Sequence, residues 1–338
     1  MRLGFTFWLP EHFQDILTKI DQLHDVGVRE AILVFGFETA SHTTVQPLAP
    51  AIGFQNPQDF KAYQAVVKVA RAKGWSITVK PQYHSNTIPV EQSWWPGFLQ
   101  FTGQQATEFF KFHHSFTAGL CAILEPDAVI VGTEMVQMWG YDAEWRRLLA
   151  AIPPIQTFGG RPSKVQKLVG CNVWEPLKSH WAFSWGKWLY GEKRLTEMAL
   201  QMLGFPPELI QYVDSKKLLA GQPSWFSKLD KIGYSAYYAP TMDKPRTVDE
   251  IVSIYRKYQP MSFVTIDYPK VCKDWAGKKP WRITETDIPY FFATRQDPQA
   301  YRNWWQATLK VWRDTGVQEL GVWEDGSWGY WLETMRHP

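Results

Sequence analysis

The chain has 338 residues, 45% of them hydrophobic, which is enough for one large core. Lys plus Arg number 36 and Asp plus Glu 33, a net charge of +3. With no long basic run, that balance argues against nucleic-acid or anionic-membrane binding. Three cysteines, Cys121, Cys171 and Cys272, have no metal-like spacing and an odd count, which argues against a disulfide framework.

The first residues, Leu3 to Trp8, read directly as a strand, with no leader-like apolar segment and cleavage site ahead of it. No apolar run approaches membrane-spanning length. The expectation is a soluble chain, cytoplasmic as the sequence stands. Pro10 opens a helix striped by Phe13, Ile16, Leu17, Ile20 and Leu23, and Gly27 ends it. Ala31 to Phe37 is the second strand. A helix near Pro57 carries Phe60, Tyr63, Val67 and Ala70 on one face. Ser76 to Lys80 is the third strand, and Gly103 to Leu124 a long helix.

Val129-Ile130-Val131-Gly132-Thr133-Glu134 is the fourth strand, an apolar β-branched run that ends abruptly in a carboxylate. Asp142 to Ile152 is helical, and Lys167 to Trp174 is the fifth strand. The connection from about 175 to 230 is the longest in the chain and carries Trp181, Trp185, Trp188, Tyr190 and Trp225. It reads as an insertion and not as a separate domain. Lys231 to Tyr238 is the sixth strand. Thr247 and Glu250 have capping-box spacing ahead of a helix. Ser262 to Tyr268 reads equally as a stray strand or as a helix end. Trp281-Arg282-Ile283-Thr284-Glu285 is the seventh strand, Pro298 starts a helix, and Glu319 to Glu324 is the eighth strand.

Eight strands alternating with helical segments predict one α/β domain over 1–338, a (β/α)8 TIM barrel with a Trp-rich insertion after strand five. A doubly wound sheet would also alternate, but the count of eight favours the barrel. No Gly-x-Gly-x-x-Gly follows the first strand. Barrels carry their chemistry at the carboxyl ends of their strands. Glu134 and Glu285 end strands four and seven, on opposite sides of such a mouth. Two carboxyl groups, one protonated and one ionised, are what glycosidic bond cleavage requires. The chain's 19 Trp, 14 Tyr and 20 Phe offer flat faces for sugar rings, although a Trp-rich packing layer explains abundance equally well.

The two glutamate stretches resemble the clan A retaining glycoside hydrolases, and most of all family 113, the β-mannanase type. The motifs that carry the resemblance are Val131-Gly132-Thr133-Glu134, Lys80-Pro81, Ile232-Gly233 with Tyr237, Thr284-Glu285 and Gly321-Val322-Trp323. The resemblance implies Glu285 as nucleophile, Glu134 as acid/base and Tyr237 as a hydrogen-bond partner of Glu285. It implies Trp323 as a platform under the sugar, with Trp174, Asn172, Lys80, Thr133 and Trp8 also contacting substrate. Thr133 stands where the clan commonly has Asn, and Thr286-Asp287 where the family continues Ile-Gly. The implied activity is retaining hydrolysis of a β-linked polysaccharide or oligosaccharide, β-1,4-mannan foremost. Chitosan or cell-wall glycan remains open as substrate, as does a carbohydrate-binding barrel without catalysis. No cofactor, metal, nucleic acid or membrane is expected. Glu38, Asp267, Asp287, Glu324 and Asp325 also lie near strand ends and compete for the catalytic roles. Lys80, inside a strand, must find a counter-charge or a ligand. His113 and His114, adjacent on a helix, read as packing or surface residues.

Overall fold

The computed structural model describes residues 1–8, 13–46, 49–50, 57–85, 99–153, 155–158, 161–172, 219, 221–237, 239–261, 264–288, 292–323 and 328–336. Eight parallel strands form the centre: β1 (Arg2–Trp8), β2 (Val28–Thr39), β3 (Ser76–Ser85), β4 (Ala128–Thr133), β5 (Gln166–Asn172), β6 (Lys231–Ser235), β7 (Trp281–Glu285) and β8 (Glu319–Val322). Each pairs with its successor in the chain, and β8 pairs back onto β1, so the sheet closes into a barrel. The predicted (β/α)8 architecture is therefore the observed one.

Helices α1 (Phe13–Asp25), α2 (Pro57–Ala72), α3 (Gly103–Leu124), α4 (Asp142–Ala151), α5 (Val248–Arg256), α6 (Tyr268–Ala276), α7 (Pro298–Asp314) and α8 (Trp328–Arg336) cover the outside. Much of the tryptophan belongs to this layer: Trp75, Trp145, Trp225, Trp304, Trp305, Trp312 and Trp331 are fully buried. Trp331 of α8 meets Phe5 of β1 edge-on at 5.1 Å, and Trp145 of α4 stacks on Trp225 at 4.8 Å. Trp145 also explains Gly132. A Cβ there would lie 2.9 Å from its ring, so only glycine lets the indole approach the strand.

The amino-terminal end of the barrel is closed by charge. Arg282 of β7 reaches across the interior to Glu30 of β2 with two hydrogen bonds, 2.8 and 2.6 Å. Thr78 of β3 donates to the same carboxylate, and Glu319 of β8 lies 3.4 Å from Arg282. Burial opposes ionisation of Glu30, but Arg282 holds its carboxyl below the usual range. Above this plug Ile32, Ala128, Ile130 and Leu168 form an apolar layer inside the barrel.

Several boundaries differ from the sequence expectation. β3 continues to Ser85, five residues past Lys80, while β6 ends at Ser235 and β8 at Val322. The unplaced stretch after Ser262 contributes Val264–Ile266 of a short hairpin and then α6. Asp267 caps α6 by accepting from the Lys270 N–H at 2.9 Å, and Pro269 sits in its first turn. The capping box at Thr247 and Glu250 is present. Most of the expected insertion, 173–218 and 220, lies outside the described residues.

Candidate active site

The strands that carry the two glutamates share an irregularity. Between β4 and β5, Ile130 pairs with Leu168 and then Thr133 with Gly170, three steps against two. Between β7 and β6, Ile283 pairs with Tyr234 and then Glu285 with Ser235, two steps against one. Each strand therefore holds one extra residue just before its carboxylate, a β-bulge. The consequence is large because side chains alternate along a strand. Arg282 faces the interior, so strict alternation would send Glu285 outward; the bulge turns it in. Ile130 is likewise interior, so alternation would turn Thr133 outward. Instead Gly132 faces Trp145, and Thr133 Oγ1 lies 3.4 Å from where a Gly170 Cβ would be.

Glu285 is buried and its carboxylate is met by side chains from two other strands. The Lys80 ammonium of β3 pairs with Oε1 across the barrel. Ser235 Oγ of β6 donates to Oε1 at 3.3 Å, and Tyr237 OH, just past β6, donates to Oε2 at 3.4 Å. Lys80 Nζ also sits 4.5 Å from the centre of the Trp323 ring, a cation–π contact. Tyr237 meets Trp323 edge-on at 6.5 Å. Backbone bonds fix these chain ends: Ala236 N–H donates to Glu285 O at 2.7 Å, and Trp323 N–H to Thr286 O at 3.1 Å. Burial lowers the Lys80 pKa, while attraction to Glu285 and then Glu134 holds it up. The lysine therefore senses both carboxylates.

Glu134 is buried and has φ of +52°, the left-handed region. That conformation costs a non-glycine residue about 1–2 kcal/mol. Its N–H donates to Gly170 O at 2.6 Å, which anchors the turn to β5. The chain thus bends immediately after the bulge, at the carboxylate itself.

Of the residues expected in the site, the structure brings together Glu285, Lys80, Tyr237 and Trp323, with Thr133 and Glu134 at the end of β4. Trp174 lies outside the described residues, as do the side chains of Asn172 and Trp8. Among the competing carboxylates, Asp287 is committed elsewhere. It accepts from Tyr301 OH at 2.9 Å and from its neighbour Ile288 N–H at 2.7 Å, and pairs with Arg295 at 3.1 Å. Asp267 is the α6 cap, Glu38 is half-buried, and Glu324 and Asp325 lie outside the described residues. His113 is a packing residue, between Tyr83 OH and Val131 O at 2.7 Å each. Sequence reasoning missed Ser235. Ser235 is two residues past Gly233 on the same strand face, a signal that was available. No cluster of metal-binding side chains occurs among the described residues.

Comparison with known proteins identifies the fold. The fold is that of the family 113 β-mannanases. One such β-1,4-mannanase complex superimposes with a TM-score of 0.55 at 12% identity, covering 96% of this chain and 87% of that one. The β-mannanase AaManA from Alicyclobacillus acidocaldarius gives 0.56 at 15% identity, covering 95% and 85%. An exo-β-1,4-mannosidase from Opitutaceae bacterium strain TAV5 gives 0.51 at 13% identity, covering 96% of this chain and 51% of its own. At such identity the likeness is one of fold. No family model and no curated protein matches the sequence.

Proposed function

We propose that this chain is a retaining glycoside hydrolase acting on β-linked polysaccharide or oligosaccharide, β-1,4-mannan foremost. The observation that carries the reading is the bulge in β7. It turns Glu285 into the barrel and onto the Lys80 ammonium, an arrangement a packing carboxylate does not need. The mannan-active names of the proteins that share the fold support the substrate class.

On this reading Glu285 is ionised beside Lys80 and attacks the anomeric carbon. Glu134 protonates the departing glycosidic oxygen, and a glycosyl ester on Glu285 results. The deprotonated Glu134 then takes a proton from water, whose oxygen displaces Glu285 and restores the original configuration. Tyr237 and Ser235 hold Glu285 in line, and Trp323 presents its face beneath the ring. Lys80 occupies the other side of the nucleophile, so its role is to position and charge-balance Glu285.

The test is hydrolysis of manno-oligosaccharides followed by NMR, with the β-anomer of the new reducing end expected first. Glu285→Ala should abolish turnover on an activated aryl glycoside, and azide should restore it as the glycosyl azide. Initial release of the α-anomer would overturn the mechanism. Parallel arms on glucan, chitosan and peptidoglycan decide the sugar, and inactivity on mannan and manno-oligosaccharides would remove mannan.

A further inference from the structure

The bulge that presents Glu134 is supported from outside the barrel. On β4, Ile130 pairs with Leu168 and Thr133 with Gly170, so Val131 and Gly132 together oppose Val169 alone. A bulge interrupts the ladder locally, and buried backbone groups there need partners from elsewhere. The Val131 carbonyl has one in His113 of α3, whose Nε2 lies 2.7 Å away.

The neighbours of this ring decide where its proton sits. A carbonyl oxygen only accepts, so Nε2 carries the proton and donates. Nδ1 is then the acceptor, and takes the hydroxyl of Tyr83 on β3 at 2.7 Å; the Thr117 hydroxyl lies 3.5 Å from the same nitrogen. Burial lowers the ring's pKa to about 3, so it is neutral near pH 7. His113 is fully buried, stacks on Phe109 at 5.3 Å and meets Tyr83 and Trp145 edge-on at 5.3 and 5.7 Å. A phenylalanine would fill this aromatic nest without burying two polar nitrogens, so packing alone does not account for an imidazole. What the imidazole adds is the bond to Val131. Trp145, on the other side of the nest, fills the space that a Gly132 Cβ would need. Two rings in contact with each other therefore hold both bulge residues from the helix layer.

We infer that His113 is a positioning residue for Glu134, fixing the bulge whose final turn presents that carboxyl to the leaving oxygen; this rests on the glycosidase reading above. Val131 lies three residues before Glu134. The His113 bond pins one end of this short segment, and the Glu134 N–H bond to Gly170 O, at 2.6 Å, pins the other. Freed of the first bond, β4 can slip toward regular pairing, and a one-residue slip turns a side chain to the opposite face. The bulge on β7 is not touched, so Glu285 keeps its place. The loss falls on proton donation and spares nucleophilic attack.

The experiment measures kcat/KM, which reports the glycosyl-forming step, on phenyl and 2,4-dinitrophenyl β-mannobiosides, with cellobiosides and chitobiosides in parallel. Phenolate needs the Glu134 proton to depart, and dinitrophenolate does not. His113→Leu should lower the phenyl value by about 10–100-fold and the dinitrophenyl value by about threefold or less. His113→Gln, whose side-chain amide still donates to Val131 O, should stay within about threefold of the wild type on both. Tyr83→Phe leaves Nδ1 without its hydroxyl donor and should show the same selectivity at about 3–10-fold, which keeps the test open if His113→Leu does not fold. Equal losses on the two leaving groups, or none, would overturn the assignment while leaving the glycosidase intact. Hydrogen exchange across residues 128–138 reads the support without a substrate, and so decides even if the wild type hydrolyses nothing and the enzymatic reading falls. Exchange should be about 3–10-fold faster in His113→Leu, or in Tyr83→Phe, than in His113→Gln, and equal rates would overturn the support.

Discussion

Replacing Lys80 by Met tests the central claim without needing a substrate. The Lys80 and Glu285 side chains are 0% and 4% exposed, so each is the other's counter-charge in a dry interior. Removing one partner of a buried pair costs about 3–5 kcal/mol. A contact pair at about 4 Å and an effective dielectric of about 20 is worth on the order of 4 kcal/mol, the same size. Ser235 and Tyr237 cannot replace it, because their hydrogen bonds to Glu285 are long, at 3.3 and 3.4 Å. With 338 residues at roughly 2.1 cal/mol/K each, the unfolding entropy is about 0.7 kcal/mol/K. Lys80→Met should then lower the melting temperature by about 4–7 °C. Glu285→Gln should also destabilise, by stranding the ammonium. The double variant, with neither charge, should recover most of the loss. Calorimetry on the four proteins measures this cycle. Additive losses would show that the two charges do not stabilise each other, and that Lys80 does not hold the Glu285 carboxylate in place.

Further predictions concern the surroundings. Burial, ahead of the opposing Val131 carbonyl, lowers the His113 pKa from 6.5 to about 3. The unfolded chain therefore binds a proton that the native state refuses below about pH 6.5, so this stability is whole above 6.5 and drains as pH falls toward 3. Between pH 7 and 5 the loss should be about 2 kcal/mol at 1.36 kcal/mol per unit, and urea melts of His113→Gln should lack that component. Gly132→Ala forces a methyl to 2.9 Å from Trp145, and should cost about 1–3 kcal/mol in the same melts. Tyr237→Phe removes the 3.4 Å hydrogen bond to Glu285 and should lower kcat by about tenfold with KM nearly unchanged, as read from steady-state kinetics on an aryl glycoside.

The barrel was legible because its strands are short, apolar and punctuated. Val129 to Val131 and Ala31 to Phe35 are buried without exception, and such runs admit few assignments other than strands of a closed parallel sheet. Helix ends were legible where a side chain does the capping, as at Thr247 and Glu250. The α6 helix was not, although Asp267-Tyr268-Pro269 is an N-cap followed by proline, because a β-rich stretch around Val264 precedes it and masks the change of period. Lys80 showed the limit of local reading. The sequence shows that a buried ammonium needs a partner, but its partner is 205 residues away and on the opposite wall of the barrel.

The bulges are the deepest illegible feature, and the site depends on them. Alternation counted from Arg282 points Glu285 at the helix layer, and counted from Ile130 it points Thr133 there as well. Nothing in the composition of Thr284 or Gly132 announces an extra residue; only the register against β6 and β5 does. Glycines on the neighbouring strands make the shift possible. A Cβ at Gly233 would lie 2.3 Å from Thr284 Cγ2, and one at Gly321 2.2 Å from Thr284 O. The spare volume that admits the displaced β7 backbone therefore belongs to β6 and β8. The Gly in Ile232-Gly233 and in Gly321-Val322-Trp323, two of the motifs that carry the family resemblance, thus has a physical task. It clears the space in which a strand can kink and turn its last carboxylate inward.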